Sequence, residues 1–182
     1  AFSQGNGVGD GDGDGDGDGD GDGGGVWAAQ LLKSTDGGKT WASQYYSEGE
    51  FYFNGIDCAD ENTCCAAGEA DVSATPGIRV WCTYNGGASW SQTFFQAGGQ
   101  YSAMPLRFVD ATTLHVGGGI MGEIGPSSGF SIVSNDAGRP GSWNLTNSVP
   151  DVYLAGMSFN GADHGHAVAL NILQQTSELI FE

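Results

Sequence analysis

One octet recurs three times in this chain, at intervals of about fifty residues. It reads Ser34-Thr35-Asp36-Gly37-Gly38-Lys39-Thr40-Trp41, then Thr83-Tyr84-Asn85-Gly86-Gly87-Ala88-Ser89-Trp90. The third copy is Ser134-Asn135-Asp136-Ala137-Gly138, with two extra residues before Ser142-Trp143. A fixed period of that size marks a radial or linear repeat architecture, so the 182 residues are to be read as copies of one unit.

The octet has its own physical logic. Asp or Asn bonds its side chain to backbone amides further on, Gly supplies a positive φ at the tip, and the Ser or Thr hydroxyls add weaker bonds. The result is a self-satisfied hairpin turn, after which Trp starts the returning strand with a large apolar surface. The pattern resembles the Asp-box, or bacterial neuraminidase repeat. Its site positions are Ser34, Asp36, Gly38 and Trp41; Thr83, Asn85, Gly87 and Trp90; and Ser134, Asp136, Gly138 and Trp143. Asn85 departs from the family's Asp, and Arg139-Pro140 lengthens the third turn.

Alignment on the tryptophans extends the repeat. Ile56-Asp57-Cys58 is followed by Cys65 nine residues after Ile56, Leu106-Arg107-Phe108 by His115 nine after Leu106, and Met157-Ser158-Phe159 by His166 nine after Met157. Each unit therefore carries two further short strands between Gly, Asn and Asp clusters, and no segment has a sustained helical period. The expected fold class is all-β: Asp-box propeller-type blades, about three four-stranded repeats near 26–75, 76–125 and 126–182, preceded by an extended arm over 1–25. In the family the box joins the third and fourth strands of a blade. On that rule the chain holds about thirteen strands, the last at Ser177 to Glu182. Propellers need about four to eight blades to close, so the ring is incomplete. Either the chain is a piece of a larger propeller, or another copy completes its open blades.

The arm is almost pure Gly and Asp from Gly9 to Gly25, with carboxylates at Asp10, Asp12, Asp14, Asp16, Asp18, Asp20 and Asp22. Its composition alone describes a solvated acidic linker. Fixing seventeen such residues costs on the order of 20 to 30 kcal/mol, and neighbouring carboxylates about 7 Å apart repel. An ordered arm therefore needs a partner outside itself. Period two puts all carboxylates on one side and glycines on the other, thin enough for another backbone to approach. The expectation is an assembly arm that runs along neighbouring copies, with loosely held cations on its acidic face. Calcium is the candidate ion, although the tract matches neither the β-roll nonapeptide nor the twelve-residue calcium loop. No other cofactor is expected.

Cys58, Cys64, Cys65 and Cys82 allow three disulfide pairings. The family resemblance implies Cys58 with Cys64, as a hairpin bridge found in similar repeats, which leaves Cys65 for Cys82. Zinc is the sharper alternative, but the spacing lacks paired Cys-x2-Cys knuckles. Asn144-Leu145-Thr146 is an acceptor for N-linked sugar. With a first residue, Ala1, that is not Met, these features suit a processed, disulfide-bonded glycoprotein that is secreted and extracellular.

The net charge is -17, and -10 without the seven carboxylates of the arm. With five basic residues in 182, nucleic acid and anionic membrane are poor partners, and no apolar stretch is long enough to span a bilayer, so no membrane insertion is expected. Glycans and other copies of the chain fit better. Sialidases that carry Asp-boxes also have an arginine triad and a Tyr nucleophile paired with Glu, whereas this chain has only Arg79, Arg107 and Arg139, the last inside a box turn. Glu48, Glu50, Glu61, Glu69 and Glu123 are expected in or near loops with nothing to pair them as glycosidase carboxylates. No enzyme is therefore expected. His164 and His166, beside Asp163, have ligand-like spacing, but His166 shares the repeat position of His115 and Cys65 and is read as packing. The box tryptophans are expected in the core, and Trp81 facing outward; with Trp27 they are the residues a sugar could stack on. The functional expectation is a filament-forming or otherwise polymeric structural protein, with a ligand-binding propeller as the rival and a sialidase-like glycosidase as the remote one.

Overall fold

The computed structural model describes residues 28–70, 74–122, 125–161 and 164–171. The arm, Trp27, Glu123, Asp163 and the expected last strand at Ser177 to Glu182 lie outside them.

Twelve strands and no helix occur among the described residues. They are β1 (Ala28–Lys33), β2 (Ala42–Glu48), β3 (Tyr52–Cys58), β4 (Cys64–Ala70), β5 (Gly77–Thr83) and β6 (Ser91–Ala97). There follow β7 (Tyr101–Phe108), β8 (Leu114–Gly122), β9 (Gly125–Ser134), β10 (Trp143–Pro150), β11 (Tyr153–Phe159) and β12 (Gly165–Leu170). Every pairing is antiparallel between neighbours in sequence. The sheets are β1-β2, β3-β4-β5-β6, β7-β8-β9-β10 and β11-β12, and none closes on itself. Each octet lies between the third and fourth strands of a sheet, or between β1 and β2, which hold the same places relative to their box.

The spacing of nine is a register. Asp57 faces Cys65, Arg107 faces His115 and Ser158 faces His166, each at the same rung of its first-to-second strand pair. The pairs also share an irregularity, between Phe53 and Gly55, Ala103 and Leu106, and Leu154 and Gly156. A bulge leaves residues without ladder bonds, which is why Pro105 is tolerated inside β7. Gly68 and Gly118, on the second strands, lie so close to the carbonyls of Tyr52 and Ser102 that a Cβ would collide with that backbone.

The four sheets stand side by side, β3 against β7 and β7 against β11, with β1 nearest β3. Asn54 Nδ2 donates to the carbonyl of Ala103 at 3.0 Å, and Phe108 N donates to Asp57 Oδ2 at 2.9 Å, tying the two full sheets together along their first strands. The main core fills the space between those sheets, with Ile78, Val80 and Cys82 on one side and Leu106, Leu114, Val116 and Ile132 on the other. A smaller core of Ala29, Phe51 and Ala70 joins β1-β2 to its neighbour.

Candidate functional site

The box turns fold as their chemistry dictates, with local variation. Ser34 Oγ accepts from Gly38 N at 2.8 Å, while Asp36 Oδ1 accepts from Lys39 N and Thr40 N at 3.0 and 2.9 Å. Thr40 Oγ1 donates to Asp36 Oδ2 at 2.6 Å. These bonds to the charged form hold the Asp36 carboxyl down at about 2, led by the Thr40 hydroxyl. In the second box Asn85 Oδ1 accepts from Ser89 N at 3.0 Å, and its Nδ2 donates to Ser89 Oγ at 2.9 Å. In the third box Asp136 is no such hub. Ser134 Oγ accepts from Gly138 N at 2.8 Å and bonds Ser142 Oγ at 2.6 Å, while the exposed Asp136 meets Arg139 at 3.7 Å. The two inserted residues move the strand return out of reach of the carboxylate.

A second family of turns joins first to second strands and was not read from the sequence. Asp60 Oδ1 accepts from Asn62 N and Thr63 N at 2.7 and 2.8 Å, and Asp110 Oδ1 from Thr112 N and Thr113 N, both at 2.7 Å. Asp60 is shifted down by these amides, and Asp110, which also accepts from the Thr112 hydroxyl, to about 2. Two Asp-x-x-Thr tetrads fifty residues apart were the available signal.

The expectation that all box tryptophans are core is corrected. Trp143 packs on Phe94 of the preceding sheet, centroids 5.6 Å apart, and Trp90 is half-buried. Trp41 is 61% exposed, because among the described residues no sheet precedes β1-β2 for it to pack on. Trp81 does not face solvent. It alternates with Val80 and Cys82, but its face is covered by Phe51 of the β2–β3 connection, stacked at 5.9 Å and 8°, and by Tyr45 of β2 at 4.8 Å.

The bridges are Cys58–Cys64 and Cys65–Cys82, each between residues directly opposite in their ladders. They signify an oxidising environment. The third box seats on the second bridge: Gly138, at φ +77, lies where a Cβ would meet Cys82 Sγ at 2.7 Å and Cys65 Sγ at 2.8 Å.

Glu69 is not a loop residue. It lies on β4 at 8% exposure and accepts from Tyr52 Oη and Ser102 Oγ, both at 2.9 Å, and from Ala103 N at 2.6 Å. Ser102 Oγ also bonds Tyr153 Oη at 2.9 Å, so one hydroxyl-rich network spans β3, β4, β7 and β11. Glu48 ends β2, and Glu50 and Glu61 are in turns. The arginines engage separate elements. Arg79 is buried under Phe51 and Phe95 with Nη2 donating to the carbonyl of Thr75 at 2.6 Å, Arg107 Nη1 donates to the carbonyl of Leu106 at 2.8 Å, and Arg139 lies 4.4 Å over the Tyr84 ring.

His115 packs on Phe159 at 4.6 Å, and burial lowers its pKa. His166, read as packing by repeat position, is exposed, because β12 has no third strand beside it among the described residues. His164 is exposed too, and no group of three or more metal-ligating side chains occurs among the described residues. The calcium expectation falls on the arm, outside them. Asn144 is exposed on β10, an edge strand.

The candidate interface is the pair of outer ends. β1 and β12 each have one paired edge and one edge with no partner among the described residues. Beside the first end, a cleft of about 670 Å3 between the first two boxes is lined by Trp41, Trp90, Gln44, Asp60 and Glu61. No protein-family model, curated protein or solved structure matches the chain. No helix of the described residues is long and apolar enough to cross a membrane.

Proposed function

We propose that the chain is a structural protein of an extracellular assembly, whose sheets are Asp-box propeller blades and whose role is to join with further copies of itself. One observation carries this reading. Among the described residues two four-stranded sheets are flanked by two-stranded ones, and Trp41, Val168 and Leu170 at the outer ends are exposed instead of buried. Unpaired strand edges with apolar side chains invite strand addition, and soluble chains usually blunt them with charge or proline. The acidic arm and a sugar on Asn144 belong to the same picture: the arm runs along neighbouring copies, cations loosely neutralising it, and the glycan covers the outer face. The Cys58–Cys64 and Cys65–Cys82 bridges support a secretory or extracellular location. The role is scaffolding rather than catalysis. The chain's arginines are spread over β5, β7 and the third box turn, and Glu69 is consumed in joining sheets.

Electron microscopy of the purified chain and of a variant lacking residues 1–25 tests the reading. Multimeric particles are expected for the intact chain, with fewer or shorter ones for the variant. Single-chain particles for the intact protein would refute it.

The cleft between the first two boxes favours a second reading, a ligand-binding module. Its volume is in the range of small-ligand sites, and an exposed indole beside amide and carboxylate groups suits a neutral sugar. Glycan-array binding that is lost in Trp41→Ala would support it.

A further inference from the structure

Three hairpin turns join first to second strands, and one backbone bond closes each of them at the same place. Ala59 N donates to the carbonyl of Thr63 at 2.9 Å, Val109 N to that of Thr113 at 2.9 Å and Asn160 N to that of His164 at 2.8 Å. In the first two turns the next residue is Asp60 or Asp110, whose carboxylate holds the two amides on the far side of the turn. In the third that place is taken by Gly161, with φ +77 and no side chain to act as a clamp. We infer that Asn160-Gly161 is a modification site, at which the asparagine converts to aspartate and isoaspartate in the folded chain.

The reaction consumes only water. The Gly161 amide nitrogen gives up its proton and bonds to Cγ of Asn160, the Cγ–Nδ2 bond breaks, and Nδ2 leaves as ammonia. Water then opens the cyclic imide at either carbonyl. Attack at the side-chain carbonyl restores the peptide link and gives aspartate; attack at the backbone carbonyl leaves the link on the side-chain carbon and gives isoaspartate. Glycine in the following position favours the ring closure, since it has no Cβ to obstruct the approach and the widest choice of backbone angles. What a fold adds is whether the nitrogen and the side chain are free to meet.

Asn-Gly occurs four times in the chain, and the fold treats the copies differently. Asn6-Gly7 lies outside the described residues. Asn85 is exposed, yet its Oδ1 accepts from Thr83 Oγ1 and Ser89 N at 2.9 and 3.0 Å and its Nδ2 donates to Ser89 Oγ at 2.9 Å. Gly86 N, the nucleophile there, donates to the carbonyl of Asn62 at 3.0 Å, so both reacting groups are engaged. Asn54 stands inside β3 with Nδ2 on the carbonyl of Ala103, and Gly55 lies so near the carbonyl of Met104 that a Cβ would collide with it. Strand backbone pinned on both sides keeps the Gly55 nitrogen away from Cγ. Asn160 and Gly161 are exposed at a hairpin tip, and the place of a Cβ on Gly161 is open space. Conversion adds a carboxylate to a chain of net charge -17. The isoaspartate form also lengthens the backbone between β11 and β12, at the bond from Asn160 N to His164 O.

Ageing the full-length chain in mildly alkaline buffer, both native and after reduction and unfolding, tests the site. Peptide mapping by mass spectrometry with electron-transfer fragmentation reads each asparagine separately, and methylation by an isoaspartyl methyltransferase counts the isoaspartate formed. In the native chain Asn160 is expected to convert about tenfold or more faster than Asn54 and Asn85, whose groups are held by the fold. In the unfolded chain the three rates should fall within about threefold of one another, because the Asn-Gly pair alone then sets them. Gly161→Ala, for which there is room, should slow conversion at Asn160 about tenfold or more and leave the circular-dichroism spectrum unchanged. Comparable native rates at the three sites, or faster conversion at Asn54 or Asn85, would overturn the inference. So would an Asn160 that reacts in the unfolded chain and not in the native one, or a Gly161→Ala chain that converts as fast as the original.

Discussion

Asp36 and Asn85 close equivalent turns with different atoms. The carboxylate accepts from two amides and a hydroxyl, whereas the amide side chain accepts at Oδ1 and donates from Nδ2 to Ser89. Asp36→Asn should therefore be well tolerated, and only Asp36 should make its turn acid-sensitive. Its pKa of about 2 lies below the ordinary 3.8, so its contribution to stability is full above the ordinary value and is lost as pH falls through 2. NMR titration should find the Lys39 and Thr40 amides shifting with a midpoint near 2 and the Ser89 amide unmoved; a midpoint near 4 would contradict the bonding described. Glu69 is the opposite case, a buried acceptor holding three donors, one on β3 and two adjacent on β7. Glu69→Ala strands those donors and should cost on the order of 3 kcal/mol in denaturant unfolding, with Glu69→Gln milder.

At the scale of the element, the same turn acquires different neighbours in each sheet. Gly37 has φ +74 and open space around it, while Gly138 has φ +77 and sits against the Cys65–Cys82 sulfurs. Gly37→Ala should cost about 1 kcal/mol, the left-handed backbone penalty alone. Gly138→Ala should cost at least about 2 kcal/mol more from displacement of the third box, and equal thermal shifts in the two variants would contradict that seating. The contrast explains what was legible. The octets, the strand pairs at spacing nine and the all-β character are local patterns, and local hydrogen bonding enforces them whatever surrounds them. The Glu69 network was not legible, because its partners are 17, 33 and 34 residues away and meet only when two sheets stack. Nor were the fates of Trp41 and Trp143, which hold the same repeat position but differ in whether a preceding sheet is present among the described residues. The alternation of Trp81 with Val80 was read correctly, but alternation cannot say whether the far face meets water or another sheet.

For the whole molecule the telling quantity is an unequal count: among the described residues two sheets have four strands and two have only two. The four-stranded ones bury continuous apolar rungs between them, whereas Trp41, Val168 and Leu170 are in solvent at opposite ends of the row. An acidic chain of net charge -17 keeps nonspecific association in check, so copies should meet only where strand edges match. Salt should therefore strengthen the association modestly by screening that repulsion. The decisive measurement is the mass of the unmodified chain by sedimentation velocity across a micromolar concentration series. The account predicts species of two or more copies whose share rises with concentration; a single-chain mass throughout would contradict it.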